Sequence, residues 1–206
     1  MSIDNLEDLQ EIHLDVLTEI GNIGSGNAAT ALATLLNTFV DIQIPNIQLI
    51  DFDNISQILG GNESLALAMS IQLEGDLNGM MLHIIQKDFA STLINNFYEC
   101  EIDTIRDLSE MDMSVLREMS NITCAAYVNS LASLTNMMIN ISPPSDHVDL
   151  VGNLLKVPLT SFHSLGSQAL FIDETMMITN SEIKSHMILV LELESLKILF
   201  HRFGIH

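Results

Sequence analysis

Positive charge is what this sequence has least of. Its 206 residues hold 7 Lys and Arg against 27 Asp and Glu, a formal net charge of −20. Such an excess argues against a nucleic-acid ligand and against insertion at an anionic membrane, because both need basic patches. It suits a basic or metal-bearing protein partner, although acidity also serves plain solubility. Cysteine is scarce too: Cys100 and Cys124 are the two present, and they read as reduced, packed thiols rather than a bridge. The 7 histidines are scattered. No His-x-Glu-x-His or Cys-x-x-Cys grouping indicates a metal site, and no cofactor of its own is expected. No signal peptide and no apolar run of about 18 residues is present, so a cytoplasmic location without membrane insertion is the expectation. Hydrophobic residues make up 48%, which places the chain among globular proteins with one good core or two fused half-domains.

What the sequence does have is one stretch written twice. Asp15-Val16-Leu17-Thr18-Glu19-Ile20-Gly21-Asn22 returns as Ser114-Val115-Leu116-Arg117-Glu118-Met119-Ser120-Asn121. In each, a small polar residue is followed by Glu four positions later and Asn three after that. A proline stands 23 residues beyond each Asn, at Pro45 and Pro144. All four positions are offset by 99 residues. An internal repeat is the first thing to look for, because it organises everything else.

On a helix, each residue advances about 100°, which puts positions 15, 19 and 22 on one face. Leu17, Ile20, Gly24, Ala28, Ala31 and Leu35 lie opposite. In the second copy Leu116, Met119, Thr123, Tyr127, Ser130 and Leu134 lie opposite Ser114, Glu118 and Asn121. Each helix therefore has a side to bury and a carboxylate–amide pair to expose. A solvated polar face explains one such pair. It does not explain two in matching register, each followed by proline at the same distance.

The coarse reading repeats as well. The first motif helix is expected over Leu9–Leu36. Gly21, Gly24 and Gly26 lie within it, and the small residues Gly24, Ala28, Ala29, Ala31 and Ala33 suit close approach of the second motif helix better than a phosphate loop, since no strand precedes the glycines. A strand over Val40–Ile50, broken at Pro45, follows. Asp51–Glu63 is loop with a short helix. Leu65–Leu73 and Gly79–Gln86 form a hairpin across Glu74–Asn78. Lys87–Tyr98 is an amphipathic helix with Phe89, Leu93, Ile94 and Phe97 on one face. Cys100–Ser109 connects to the second motif helix, Glu110–Leu134, and a strand over Met137–Ile141. Asp146–Val157 suggests a short helix. Ser167–Ile178 and His186–Glu192 make a second hairpin with a longer turn at Asn180–Glu182, and Glu194–Phe203 is the closing helix. His13 reads as a surface histidine. Met69, Met80, Met81 and the methionines from Met111 to Met138 read as core filling. We expect one α/β unit over residues 1–206, with pseudosymmetric halves at 10–99 and 109–206. The strands of both halves should join one shared mixed or antiparallel sheet.

The pattern Asp/Ser-x3-Glu-x2-Asn-x22-Pro resembles the active-site signature of the CheC family of bacterial chemotaxis phosphatases, which includes CheC, CheX and the amino-terminal region of FliY. Two intact copies resemble the CheC type, and the likeness runs from about Leu14 to the C-terminus. It implies a hydrolase acting on the aspartyl phosphate of a CheY-like response regulator. Glu19, Asn22, Glu118 and Asn121 would be the catalytic residues, and Asp15, Ser114, Pro45 and Pro144 their support. The divalent metal, magnesium, would sit on the regulator. The resemblance also implies a CheD-like receptor deamidase as a partner. The alternative to catalysis is therefore a regulatory adaptor for that deamidase, though an adaptor needs no intact Glu–Asn pairs. A flagellar switch component is disfavoured, because the sequence ends at His206 without room for a switch domain. The halves differ at the first motif position and at Ile20-Gly21 against Met119-Ser120, so the two sites need not be equal.

Overall fold

The computed structural model describes residues 6–98, 102–162 and 168–205. The first long helix, α1 (Glu11–Leu36), starts after Gln10, whose backbone N–H donates to Nδ1 of His13 at 2.9 Å. It ends where Asn37 turns left-handed, at φ 49°, a conformation Asn tolerates better than most residues. Two short strands follow, β1 (Val40–Ile42) and β2 (Asn46–Asp51). They are separated at Pro45, which has no amide hydrogen to give a ladder. A short helix, α2 (Phe52–Ile58), leads into the hairpin β3 (Leu65–Gly75) and β4 (Gly79–Ile85), and α3 (Lys87–Phe97) follows. The order then repeats. The second long helix is α4 (Glu110–Thr135), ended by Asn136 at φ 57°. It is followed by β5 (Ile139–Ile141), β6 (Ser145–Leu150), the short helices α5 (Val151–Leu154) and α6 (Lys156–Ser161), the hairpin β7 (Gln168–Ile178) and β8 (Ser181–Leu191), and α7 (Leu193–Arg202).

The eight strands form one sheet in the order β1-β7-β8-β4-β3-β5, with β2 also on β7 and β6 also on β3. Among the described residues every pairing is antiparallel. Each half lends its short strands to the other half's hairpin: Leu49 lies opposite Leu170, and Val148 opposite Leu67. The register locates the pseudo-dyad. Leu67 opposite Ile85 in the first hairpin corresponds to Leu170 opposite Leu189 in the second. His83 and Met187 are therefore equivalent positions, and they face each other across the central β4–β8 ladder.

The apolar residues divide into two cores that obey the same symmetry. Leu17 and Ile20, early in α1, pack with Tyr127, Val128 and Leu131, late in α4. Ala28 and Leu32, late in α1, pack with Met113, Leu116 and Met119, early in α4. The long helices thus run antiparallel. They also approach closely: a Cβ on Gly24 would sit 3.0 Å from Cα of Tyr127.

Several expectations are corrected here. Ala31 and Leu134 are exposed, and the buried positions near them are Leu32 and Thr135. A seven-residue spacing drifts about 20° per repeat on a straight helix, so a stripe drawn with it leaves the buried face after two repeats. Asp146–Leu150, expected within a short helix over Asp146–Val157, belongs instead to strand β6, with helix only from Val151; β8 begins at Ser181, not His186. The second hairpin turns tightly at Thr179, φ 56°, where a longer turn was expected. Met111 and Met138 are 67% and 78% exposed, so they fill no core. His13 is buried, with its ring edge-on to Phe200 at 4.5 Å between centroids. Cys124 is a free, buried thiol, while Cys100 lies outside the described residues.

Candidate functional site

Both long helices bury one face and present the other. Leu17, Ile20, Leu116 and Met119 are buried; Asp15, Glu19, Asn22, Ser114 and Glu118 are exposed, and Asn121 is half-buried. Among the described residues, the side chains of Glu19, Asn22, Glu118 and Asn121 make no hydrogen bond or ion pair within the chain. A carboxylate and an amide one turn apart, both unengaged, are available to a ligand from outside. Because the helices are antiparallel, the two pairs lie toward opposite ends of the helix layer. Gly24 meets Tyr127; Asn22 lies two residues before the one and Asn121 six before the other, so the two Asn residues are separated by roughly 12 Å along the antiparallel axes at about 1.5 Å per residue.

The turn beneath each Asn is held differently. Below Asn22 the contact is apolar. A Cβ on Gly21 would lie 3.0 Å from Cγ of Pro45 and 2.7 Å from Cδ1 of Ile47. Pro45, itself buried, therefore breaks the strand and packs against the residue preceding Asn22. Glycine there lets the Pro45 and Ile47 side chains pack directly on the helix turn, and a larger residue would have to displace them. In the second motif the equivalent residue is Ser120, wholly buried, and its Oγ lies 3.0 Å from Nδ1 of His83. Nε2 of His83 lies 3.2 Å from Oγ of Ser185. The turn below Asn121 is thus tied by a buried polar chain to the centre of the sheet. Burial pushes the His83 imidazole down to about 3, and His186 adds to the effect. The ring is a neutral structural hydrogen-bonding group, not a proton carrier near neutral pH. Pro144 is half-buried.

Asp15 and Ser114 do not cap their helices, since Gln10 and Ser109 hold those positions. Ser109 Oγ accepts from the backbone of Asp112, and the Asp112 carboxylate accepts from the Ser109 backbone N–H at 2.7 Å. Tyr98 donates its hydroxyl to the same carboxylate. Arg117, the residue before Glu118, donates from Nε to Asp146 of β6 at 2.6 Å and lies 3.5 Å from Glu110. It fixes the second motif against the sheet edge, and the first motif has Thr18 in its place.

Three groups escaped the sequence reading. Arg117 sits inside the motif but its partner Asp146 lies on the unrecognised strand. His83 appears in an apolar run, where nothing in the sequence points to Ser120. Glu174, wholly buried, accepts from the hydroxyl of Tyr127, and burial pushes its carboxyl up to about 7. Its alternation within β7 marks it as inward, which was the available signal. Among the described residues no group of three His, Cys, Asp or Glu is placed to hold a metal ion, and no helix is long and apolar enough to cross a membrane.

Two unengaged Glu–Asn pairs on antiparallel helices, over one shared antiparallel sheet, agree with what the comparisons show: the chain belongs to the CheC-like family. The family's model matches residues 12–48 and 111–146, the two motif regions. Over 200 residues the chain is 32% identical to a Bacillus subtilis protein named CheY-P phosphatase CheC, covering 95% of this chain and 96% of that one. It is 29% identical over 143 residues to the Bacillus subtilis flagellar motor switch phosphatase FliY, covering 69% of this chain and 37% of that protein. Among solved structures, Thermotoga maritima FliY superposes with a TM-score of 0.73 at 23% identity, covering 96% of this chain and 98% of that one. The middle domain of Helicobacter pylori FliM gives 0.68 at 10% identity, covering 94% of this chain and 99% of that one. These last two likenesses concern the fold.

Proposed function

We propose that this protein is a phosphatase of a CheY-like response regulator and hydrolyses its aspartyl phosphate at two sites. One observation carries the reading: each long helix presents an unengaged Glu and Asn, at equivalent positions, from a turn fixed against the sheet. The name of the Bacillus subtilis relative, CheY-P phosphatase CheC, supports the substrate. An acyl phosphate is already activated, and a response regulator brings its own divalent magnesium and a lysine to neutralise charge. What remains is to place a water in line with phosphorus, and phosphoryl transfer depends largely on such positioning and electrostatics. The carboxamide oxygen of Asn22 or Asn121 accepts a hydrogen bond from that water and turns its lone pair toward phosphorus. Glu19 or Glu118, one turn away, meets the regulator's lysine and holds the Asn in register. No strong base is required, which agrees with the neutral, enclosed His83. We place this activity in the cytoplasm.

The experiment is phosphate release from the phosphorylated regulator by wild type and by Glu19→Gln with Glu118→Gln. The reading expects wild type to accelerate release and the paired Gln variant to lose at least tenfold in kcat/KM. A wild type that leaves the intrinsic decay rate unchanged would refute it.

A further inference from the structure

The repeat duplicates more than the polar motif. Ile12 is 51% exposed and Met111, 99 residues on, is 67% exposed. Each is the second residue of its helix. Large apolar residues at single surface positions need no explanation. A pair at equivalent positions, each ten residues before the motif Asn, does. Ile12, Asp15, Glu19, Asn22 and Ile23 fall within roughly 100° of the helix circumference, with Ile12 and Ile23 about 20° apart along one edge. Ile23 is itself 37% exposed. The same angles hold for Met111, Ser114, Glu118, Asn121 and Ile122, where Ile122 is half-buried against the second core. Each carboxylate–amide stripe is therefore flanked along one edge by aliphatic side chains at both ends.

We propose that Ile12 and Met111 are docking residues for the phosphorylated receiver domain, which they meet through an apolar rim beside its acyl-phosphate pocket. This rests on the phosphatase reading above. The span supports it. Ile12 lies eleven residues from Ile23, about 16 Å along the helix. A stable protein–protein contact covers about 800 Å² on each partner, a patch about 30 Å across. A patch of that size centred on Asn22 reaches Ile12, ten residues or about 15 Å away along the helix. Buried aliphatic anchors beside a polar reacting centre supply affinity, while the Glu and Asn supply orientation. Met111 adds an unbranched side chain that adapts to its partner's surface.

The test uses chains with one working site. Asn121→Ala leaves the first site and Asn22→Ala the second. Into the first we place Ile12→Asp, and into the second Met111→Asp. An acidic residue in the first helical turn is favoured by the helix dipole, so folding is spared. We expect KM for the phosphorylated regulator to rise about tenfold in each, with kcat within twofold. Titration with the beryllofluoride-activated regulator should show one of the two binding sites weakened by the same factor and the other unchanged. Exchanged combinations, Ile12→Asp with the second site and Met111→Asp with the first, should keep their parents' KM. Unchanged KM and affinity in the matched combinations, with turnover intact, would overturn the docking proposal and leave the phosphatase reading standing. Weakened binding of the beryllofluoride form without any accelerated hydrolysis would uphold docking and remove the phosphatase reading. No binding and no hydrolysis by wild type would remove both.

Discussion

Gly24 separates two opposed effects of glycine in a helix, and their magnitudes decide the outcome of replacing it. In a helix interior, alanine is favoured over glycine by about 1 kcal/mol. At Gly26 that gain is realised in full, since a new Cβ would meet nothing within 4 Å. At Gly24 the new methyl would lie 3.0 Å from Cα, Cγ and Cδ1 of Tyr127. One of those atoms is backbone of α4, so relief requires the helices to part by a few tenths of an ångström across a packed interface. Overpacking of this kind costs about 1–3 kcal/mol. Gly24→Ala should therefore lose about 1 kcal/mol net, while Gly26→Ala gains about 1 kcal/mol. For a domain of this size the two variants should differ by roughly 5 °C in Tm. Thermal unfolding followed by circular dichroism reads the difference, and urea unfolding checks that the slope is unchanged. If Gly24→Ala were as stable as Gly26→Ala, the close approach of the two long helices would be refuted. With it would go the spacing of the two sites.

Other perturbations have equally definite outcomes. Burial raises Glu174 from the ordinary carboxylate range to about 7. The native state then holds a proton the unfolded chain has lost, so charging this group reduces stability as pH rises from about 4.5 to 7, by up to about 3 kcal/mol. His83, pushed down to about 3, acts in the opposite sense and reduces stability as pH falls below about 6.5. Chemical denaturation across pH 4.5–7 should thus show Glu174→Gln losing the decline toward neutrality and His83→Gln losing the decline toward acid. Identical pH profiles for the two would contradict the assignment. Ser120→Ala leaves the Nδ1 of a fully buried His83 without its partner and should cost about 1–3 kcal/mol. In the Asn22→Ala chain it should also lower kcat several-fold, and in the Asn121→Ala chain leave kcat unchanged. His13→Ala removes the acceptor of the Gln10 N–H and the contact with Phe200, and should lower stability by about 1–2 kcal/mol in urea unfolding.

Much of this architecture is legible from residues alone, for reasons that also explain the gaps. The hairpin of β3 and β4 declares itself through alternating apolar residues around Glu74–Asn78. The motif helices declare themselves through their exposed and buried faces. Strand β6 escaped because Ser145–Leu150 carries two Asp and a His, and only its pairing with Leu65–Ser70 makes it a strand. The repeat held the missing signal: adding 99 to Asn46–Asp51 lands on Ser145–Leu150. Met111 and Met138 escaped because composition gives methionine no direction; their counterparts Ile12 and Phe39 are exposed too. The Ser120–His83–Ser185 chain was beyond reach, because it joins α4, β4 and β8, three segments distant in sequence that only the strand pairing and the helix packing bring together. Glu19, Asn22, Glu118 and Asn121 stand out by spacing, and among the described residues the fold gives none of the four side chains a hydrogen-bond or ion-pair partner.

The most direct test of the two-site account is the decay of the phosphorylated response regulator with wild type, Asn22→Ala, Asn121→Ala and the double variant. Binding of the beryllofluoride-activated regulator is measured alongside. The account predicts that each single variant keeps part of the acceleration and that the double variant, still folded and still binding, falls to the intrinsic decay rate. A double variant that hydrolyses as fast as wild type would show that neither Asn positions the attacking water.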